Sequence, residues 1–302
     1  MRQIIINILI IFTVSTGLIW ISNYIYQIYN QYNIKNKNYE KCLIKKNWIT
    51  DLAKFFPIIF LITIIRLFYY EPFHIPSDSM NPTLLTGDFI LVNKFLYGIK
   101  NPINNKIWIK NYSPQRNDII VFSYPFNKNI NYIKRIIGMP GDIITYNPFT
   151  KKICIFKKDN QAITLEHNNH SNKLISISNN YKKIIKNLNR NNYKTYYTIT
   201  LDYYNEKLHH QKHNIIISHG IKNYSFLYYK KLSGLKRFWV IPEKKYFVMG
   251  DNRDKSMDSR FWGLVSESDI IGKAQYIWLS INKYQNIWFK KIRLCRMFQK
   301  IK

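Results

Sequence analysis

Three short stretches of the chain carry residue types that could make and break a covalent bond. The first is Phe73-His74-Ile75-Pro76-Ser77-Asp78-Ser79-Met80-Asn81-Pro82-Thr83-Leu84, with two hydroxyls set between prolines. A serine hydroxyl is a poor nucleophile until a base takes its proton. The second is Tyr132-Ile133-Lys134-Arg135-Ile136-Ile137-Gly138-Met139-Pro140-Gly141-Asp142, a strand pattern running into a Pro-Gly turn. Alternation along a strand puts Tyr132, Lys134 and Ile136 on one face and Ile133, Arg135 and Ile137 on the other. The third runs from Gly250 through Asp251, Arg253, Lys255, Ser256, Asp258 and Arg260 to Gly263. Its alternate positions after Asp251 are Arg253 and Lys255, which cannot ligate calcium, so a cation loop is excluded.

Lysine serves as the base for such a serine only if its charge is suppressed. At its reference pKa of ~10.4 it is neutral in fewer than ~1 in 1000 molecules at pH 7. Burial among apolar side chains lowers that value, and a shift of ~2–3 units corresponds to ~3–4 kcal/mol. Tyr132, Ile133, Ile136, Phe73 and Ile75 are the residues that could supply those surroundings for Lys134. Asp78, between the two serines, must then point elsewhere, because a carboxylate within ~4–6 Å favours the ammonium form. An extended Ser77–Ser79 would put both hydroxyls on one side and Asp78 on the other.

Other chemistries read more weakly. S-x-x-K occurs at Ser233-Gly234-Leu235-Lys236 and Ser280-Ile281-Asn282-Lys283, but neither S-D-N nor K-T-G accompanies it. Glu166-His167 with His170, or His209, His210 and His213, could be argued as metal ligands. There is no H-E-x-x-H, so these are read as solvated histidines, with no metal and no cofactor expected. A non-enzyme alternative is a bitopic basic membrane protein that binds anionic lipid or nucleic acid by charge, indifferent to Ser79 and Lys134 but strongly salt-dependent.

The elements that must position these groups are short strands. Gly87–Val92, Asp118–Tyr124, Tyr132–Ile137, Asp142–Tyr146, Lys245–Met249 and Gln275–Ser280 alternate or run apolar between turn residues. The expectation is a mostly β, antiparallel catalytic domain over residues 71–149 and 237–302. The Asn- and Lys-rich stretch 150–236 is read as an inserted second subdomain. Ahead of them, Ile4 to Tyr26 is apolar and uncharged, and Leu52 to Phe68 is interrupted only by Lys54 and Arg66, which can snorkel. Two membrane helices, residues 1–26 and 52–70, are expected. The linker, residues 27–51, holds Lys35, Lys37, Lys41, Lys45 and Lys46 against Glu40 between Tyr26 and Trp48, which places it in the cytoplasm by the positive-inside rule.

With 46 Lys+Arg against 17 Asp+Glu, the net charge is +29. The excess falls on Lys, Asn, Ile and Tyr together, as drift toward A+T-rich codons gives, so the charge is assigned no nucleic-acid partner. Cys42, Cys154 and Cys295 form no C-x-x-C, and a Cys154–Cys295 bridge stays open.

The three clusters, in this order, resemble bacterial type I signal peptidases over about Trp48–Asn147 and Phe238–Ser280. The strings P-S-x-S-M-x-P-T-L, Y-I-K-R-x-x-G-x-P-G-D and G-D-N-R-D-x-S-x-D-S-R carry the likeness. It implies a serine endopeptidase that removes N-terminal leader peptides, with Ser79 as nucleophile, Lys134 as general base and Ser77 assisting the oxyanion hole. It also implies that Ser256 orients the lysine, that Asp258 and Arg260 form a structural ion pair, and that Phe73, Ile75, Pro76, Met80 and Ile133 line the substrate pocket. Signal peptides of preproteins, the phospholipid bilayer and the export machinery are the partners implied. The location implied is the inner membrane, multi-pass, with the catalytic domain on the periplasmic face. Asp78 stands where many Gram-negative relatives have Gly, as in Gram-positive members, and Asn117 replaces a frequent Gly.

Overall fold

The structure, a computed structural model, describes residues 2–36, 51, 54–101, 107–157, 162–164, 167–169, 200–208, 211–219, 232–233, 236–282, 285 and 291–301. Helix α1 covers Arg2–Asn36 and runs beyond the apolar segment expected to end at Tyr26. Within it, Ile6–Tyr29 is long and apolar enough to cross a membrane, and among the described residues it alone is. Helix α2, Phe56–Ile64, has Pro57 in its first turn, where the missing N–H costs nothing, and continues as a π-turn over Ile65–Tyr69. This second apolar helix is shorter than a full span, and the basic linker expected to be cytoplasmic lies mostly outside the described residues.

The two helices pack antiparallel. Thr13 and Thr63 share a hydrogen bond of 2.8 Å, and the rings of Trp20 and Phe56 lie 5.6 Å apart. Leu9 O lies 2.7 Å from Thr13 Oγ1 and Ile59 O 2.8 Å from Thr63 Oγ1, so whichever hydroxyl accepts across the helices has a carbonyl for its own proton. A Cβ at Gly17 would stand 2.7 Å from the Phe56 ring, so glycine is what permits the close approach.

The chain passes from the π-turn directly into β1, Tyr70–His74. Then follow β2 Asp88–Asn93, β3 Ile119–Tyr124, β4 Asn127–Gly138, β5 Ile143–Tyr146 and β6 Ile153–Phe156. Next are β7 Thr200–Leu208, β8 Gln211–His219, β9 Lys236–Val240 and β10 Lys245–Met249. The one-turn helix α3, Ser259–Trp262, precedes β11 Val265–Ser266, β12 Ile270–Ser280 and β13 Gln299–Lys300. The junction after α2 is braced on both sides. Lys94 N–H bonds Tyr69 O at 2.8 Å, Lys94 Nζ reaches Arg66 O at 3.3 Å and Glu71 at 3.4 Å, and the rings of Tyr69 and Phe95 stack at 5.1 Å.

The fold is mostly β and its strands pair antiparallel. The main sheet has the order β1-β2-β12-β3-β4-β10-β11, with β13 on β12. A second sheet centres on β9-β5-β6, and β7 and β8 form a hairpin joined by His167–Asn169. β5 and β6 pair across residue 150, so this sheet takes strands from both sides of the expected subdomain boundary. β4 is buried on both faces along its second half. Ile137 lies in a core with Ile144, Trp239 and Phe247, and Ile136 in one with Phe122, Val248 and Trp262. A third core gathers Ile75, Met80, Leu84, Ile90, Val92 and Val121. Cys154 and Cys295 are free thiols.

Phe122 is fully buried, edge-on to Tyr132 at 6.4 Å and tilted against Trp262 at 5.7 Å. Phe122→Ala is expected to lower stability by about 3–5 kcal/mol, read from the denaturation midpoint of the detergent-solubilised protein.

Candidate active site

The chain leaves β1 at Ile75, which enters the core, while Pro76 stays exposed. Ser77 and Asp78 then form a bend and Ser79 opens a turn, so the segment is not the extended stretch that alternation suggested. The outcome for the side chains is nevertheless the one that chemistry requires. Ser77 Oγ lies 3.5 Å from Ser79 Oγ, and the Asp78 carboxylate accepts from Thr86 Oγ1 at 2.5 Å. The turn, rather than the pleat of a strand, sends the carboxylate away from the hydroxyls.

Lys134 stands opposite Ile120 in the β3–β4 ladder and is 4% exposed. Its Nζ is 2.7 Å from Ser79 Oγ and donates to Ile133 O at 3.0 Å. The Tyr132 ring centroid lies 5.6 Å away. Burial brings the Lys134 pKa down from 10.5 to about 8. Asp258 and Asp251 pull it upward, and Arg260 pushes it down again. An amine with that pKa is neutral in roughly one molecule in ten at pH 7, which makes a base of it.

The third cluster braces this pair from below. A Cβ on Gly250 would meet Ser256 Oγ at 2.3 Å and Ser79 O at 2.4 Å, so only glycine lets the two backbones touch. Asn252 then fixes the Ser77–Ser79 turn twice, its N–H to Ser79 O and its Nδ2 to Asp78 O, both at 3.1 Å. Asp258 caps α3 and pairs with Arg260, with Nε to Oδ1 at 2.8 Å and Nη2 to Oδ2 at 2.9 Å. Burial opposes the Asp258 charge, but Arg260 and the Gly250 N–H hold its carboxyl below the usual range. Ser256 is buried, and its Oγ has no hydrogen-bond partner among the described residues, Lys134 included.

Of the expected pocket residues, Phe73, Ile75, Met80 and Ile133 share one apolar cluster. Met80 and Ile75 are closed inside it, and Pro76 stays outside. His213 is buried, His167 lies on a short strand, and His170, His209 and His210 fall outside the described residues. Among the described residues no cluster of three His, Cys, Asp or Glu could hold a metal ion.

Sequence reasoning missed the network on the other face of β4. Arg135 is fully buried and bidentate to Asp251, with Nε to Oδ1 at 2.8 Å and Nη2 to Oδ2 at 2.7 Å. Its Nη1 also reaches Asn117 O and Oδ1, and Thr83 donates to Asp251. Asn117 has φ of 75°, a left-handed conformation that asparagine tolerates, which accounts for Asn where Gly is frequent. The available signal was a charged residue, Arg135, alternating with Lys134 and Ile136 in an otherwise apolar strand.

Comparison with known proteins bears on these clusters. The family model described as "Signal peptidase, peptidase S26" matches residues 45–279. Signal peptidase I of Buchnera aphidicola subsp. Schizaphis graminum is 44% identical over 315 residues, covering 98% of this chain and 99% of that protein. Signal peptidase I of Pseudomonas aeruginosa is 38% identical, covering 79% of this chain and 75% of its own length. That of Haemophilus influenzae is 35% identical, covering 83% and 75%.

The burial of Lys134 has a stability consequence whose sign is fixed. Its folded pKa lies below its unfolded value, so the folded state holds fewer protons between pH 8 and 10.5 and stability rises across that window. Below pH 8 the full cost, about 3 kcal/mol, is present. Lys134→Met is expected to raise the thermal midpoint at pH 6 and to lose that advantage by pH 10. An equal gain at both pH values would mean that the amine is not desolvated.

Proposed function

The chain belongs to the signal peptidase family, peptidase S26, and from that membership we propose that it removes signal peptides from exported preproteins with Ser79 as nucleophile and Lys134 as general base. The observation that carries the assignment of residues is the buried 2.7 Å contact between Lys134 Nζ and Ser79 Oγ.

Neutral Lys134 takes the Ser79 proton as Oγ attacks the scissile carbonyl, and the resulting ammonium then protonates the departing amine. The Ser79 N–H and the Ser77 hydroxyl receive the oxyanion, a kind of contribution worth ~3 kcal/mol per donor. Water activated by the same lysine hydrolyses the acyl-enzyme. Phe73 and Ile133, over the buried Ile75 and Met80, offer an apolar wall, and cleavage after small residues at the −1 and −3 positions follows from the family likeness. Ser256, buried beside Gly250, is assigned by the family likeness to orient the amine. The Asp258–Arg260 pair holds the segment beneath it. A protein that worked by surface charge alone has no use for a buried lysine aimed at a serine.

Helix α1 anchors the protein in the membrane. We assign α2 as a second span, the basic linker to the cytoplasm by its lysine bias, and the β domain to the outer, periplasmic face, where preproteins emerge from the export machinery.

Ser79→Ala and Lys134→Arg are each expected to abolish cleavage of a preprotein in detergent, the second because guanidinium does not deprotonate. For the wild type, kcat/KM should climb about tenfold per pH unit and level off near pH 8. Full cleavage by Lys134→Arg would refute the dyad.

For topology, a cysteine at Lys41 should resist a membrane-impermeant thiol reagent in cells lacking the native cysteines, and one at the exposed Tyr112 should be labelled. The reverse pattern would invert the orientation.

A further inference from the structure

The hairpin β7–β8 comes from the stretch that carries no recognisable motif, yet it reaches the catalytic segment. Arg253, one residue after the Asn252 that grips the Ser79 turn, is 2% exposed. Its guanidinium is bidentate to Glu206 of β7, with Nη1 to Oε1 at 2.7 Å and Nη2 to Oε2. His213 Nε2 lies 3.1 Å from the same carboxylate. The backbone follows the same path, since Ile216 N–H bonds Asp251 O at 2.9 Å and Ile216 bridges to Asn252. Ser218 N–H reaches Asp254 Oδ2 at 2.7 Å, and Lys151 joins it at 2.8 Å. Arg260, itself paired with Asp258, donates to Arg253 O.

Segment 251–254 is therefore clamped between two anchors. Arg135 holds Asp251 from the main sheet, and Glu206 holds Arg253 from the hairpin. Between them sits Asn252, whose two hydrogen bonds are the link from this segment to the backbone of Asp78 and Ser79. Ser79 Oγ must stay within hydrogen-bond reach of Lys134 Nζ, and a misplacement of ~1 Å from a change far from the chemistry can cost ~100-fold in rate. A bidentate pair fixes angle as well as distance, which a single hydrogen bond does not.

We propose that Glu206 is a positioning residue for the cleavage reaction, acting through Arg253 and Asn252 to set the Ser79 turn against Lys134. This rests on the assignment of Ser79 and Lys134 made above. Glu206 touches neither reacting atom. Nor is it among the charges that shift Lys134, which are Asp258, Asp251 and Arg260. Losing it should therefore lower the rate without moving the pH at which the base titrates.

The test is steady-state cleavage of a leader-sequence peptide by the full chain in detergent, over pH 6–10, with thermal unfolding measured alongside. Glu206→Gln is expected to lower kcat at least tenfold, to leave KM within about threefold, and to keep the inflection near pH 8. The double variant Glu206→Leu/Arg253→Met replaces the buried pair by apolar groups, which is often neutral or favourable for stability. It should recover the thermal midpoint and not the kcat. If Glu206→Gln does not fold, the double variant decides. If neither folds, Glu206→Asp, which keeps the charge one methylene short of the bidentate grip, should show the same fall in kcat at constant KM. Recovery of kcat together with the midpoint in the double variant would overturn the proposal, as would a kcat loss in Glu206→Gln or Glu206→Asp accompanied by an inflection displaced toward pH 10. Ser79→Ala runs beside these. Cleavage surviving there sinks the dyad assignment, whereas an inactive Ser79→Ala with a fully active double variant sinks only the role of Glu206.

Discussion

Everything in the catalytic half answers to one requirement: an amine has to be kept out of water beside a hydroxyl. Lys134 is desolvated by strands on both sides and by the nucleophile turn, and desolvation is the largest influence on its charge. The nearby ions act against it, Arg260 offsetting only part of the pull of two carboxylates. Asp258 and Asp251 favour the ammonium, but each is itself paired with an arginine, Asp258 with Arg260 and Asp251 with Arg135. A lone buried carboxylate in either place would pull the lysine further toward its ammonium form.

The residues meeting at that amine are far apart in sequence, and the contacts that collect them are mostly polar. Ser79 O meets Asn252 N–H, Thr83 meets Asp251, and Arg253 meets Glu206. Buried ion pairs return little net stability once their desolvation is counted. They fix direction, however, and apolar packing of Ile, Leu and Val does not. The division of labour is visible in β4, where Ile136 and Ile137 supply the burial while Lys134 and Arg135 supply the two oriented groups.

The meeting of Lys134 with Ser79 and most of the main-sheet strands were legible because short apolar segments ended on turn residues and the motifs lay at those ends. Other parts were hidden for identifiable reasons. β1, Tyr-Glu-Pro-Phe-His, is not among the expected strands because Pro72 interrupts the pattern, yet it is the edge strand of the sheet, where proline is tolerated. The first half of β4, Asn127–Asn131, is polar and exposed, so the strand reads as starting at Tyr132. In β8 Ile215, Ile216 and Ile217 are all buried, because the hairpin is covered on both sides, and so the alternation that identifies strands is lost. Pairings such as Glu206 with Arg253 depend on which strand neighbours which, and no local pattern states that. For Ser77–Ser79 the expected side-chain directions hold, but through a turn rather than an extended segment.

The seam between α2 and β1 has no slack in it. The π-turn ends at Tyr69, the strand begins at Tyr70, and Lys94, Glu71, Phe95 and Arg66 lock the two together. On the proposed assignment of α2 to the bilayer, the five residues of β1 would form a strut of roughly 16 Å at the strand rise per residue. Ser79 would then be held at a set altitude over the lipid. Under that assignment the enzyme would measure its substrates with a ruler as well as with a pocket: a peptide bond would be presented only where the hydrophobic helix of the leader ends at the matching depth. Side-chain size at the cut would not have to carry all the discrimination, because a bond of suitable sequence at the wrong height would not reach the serine.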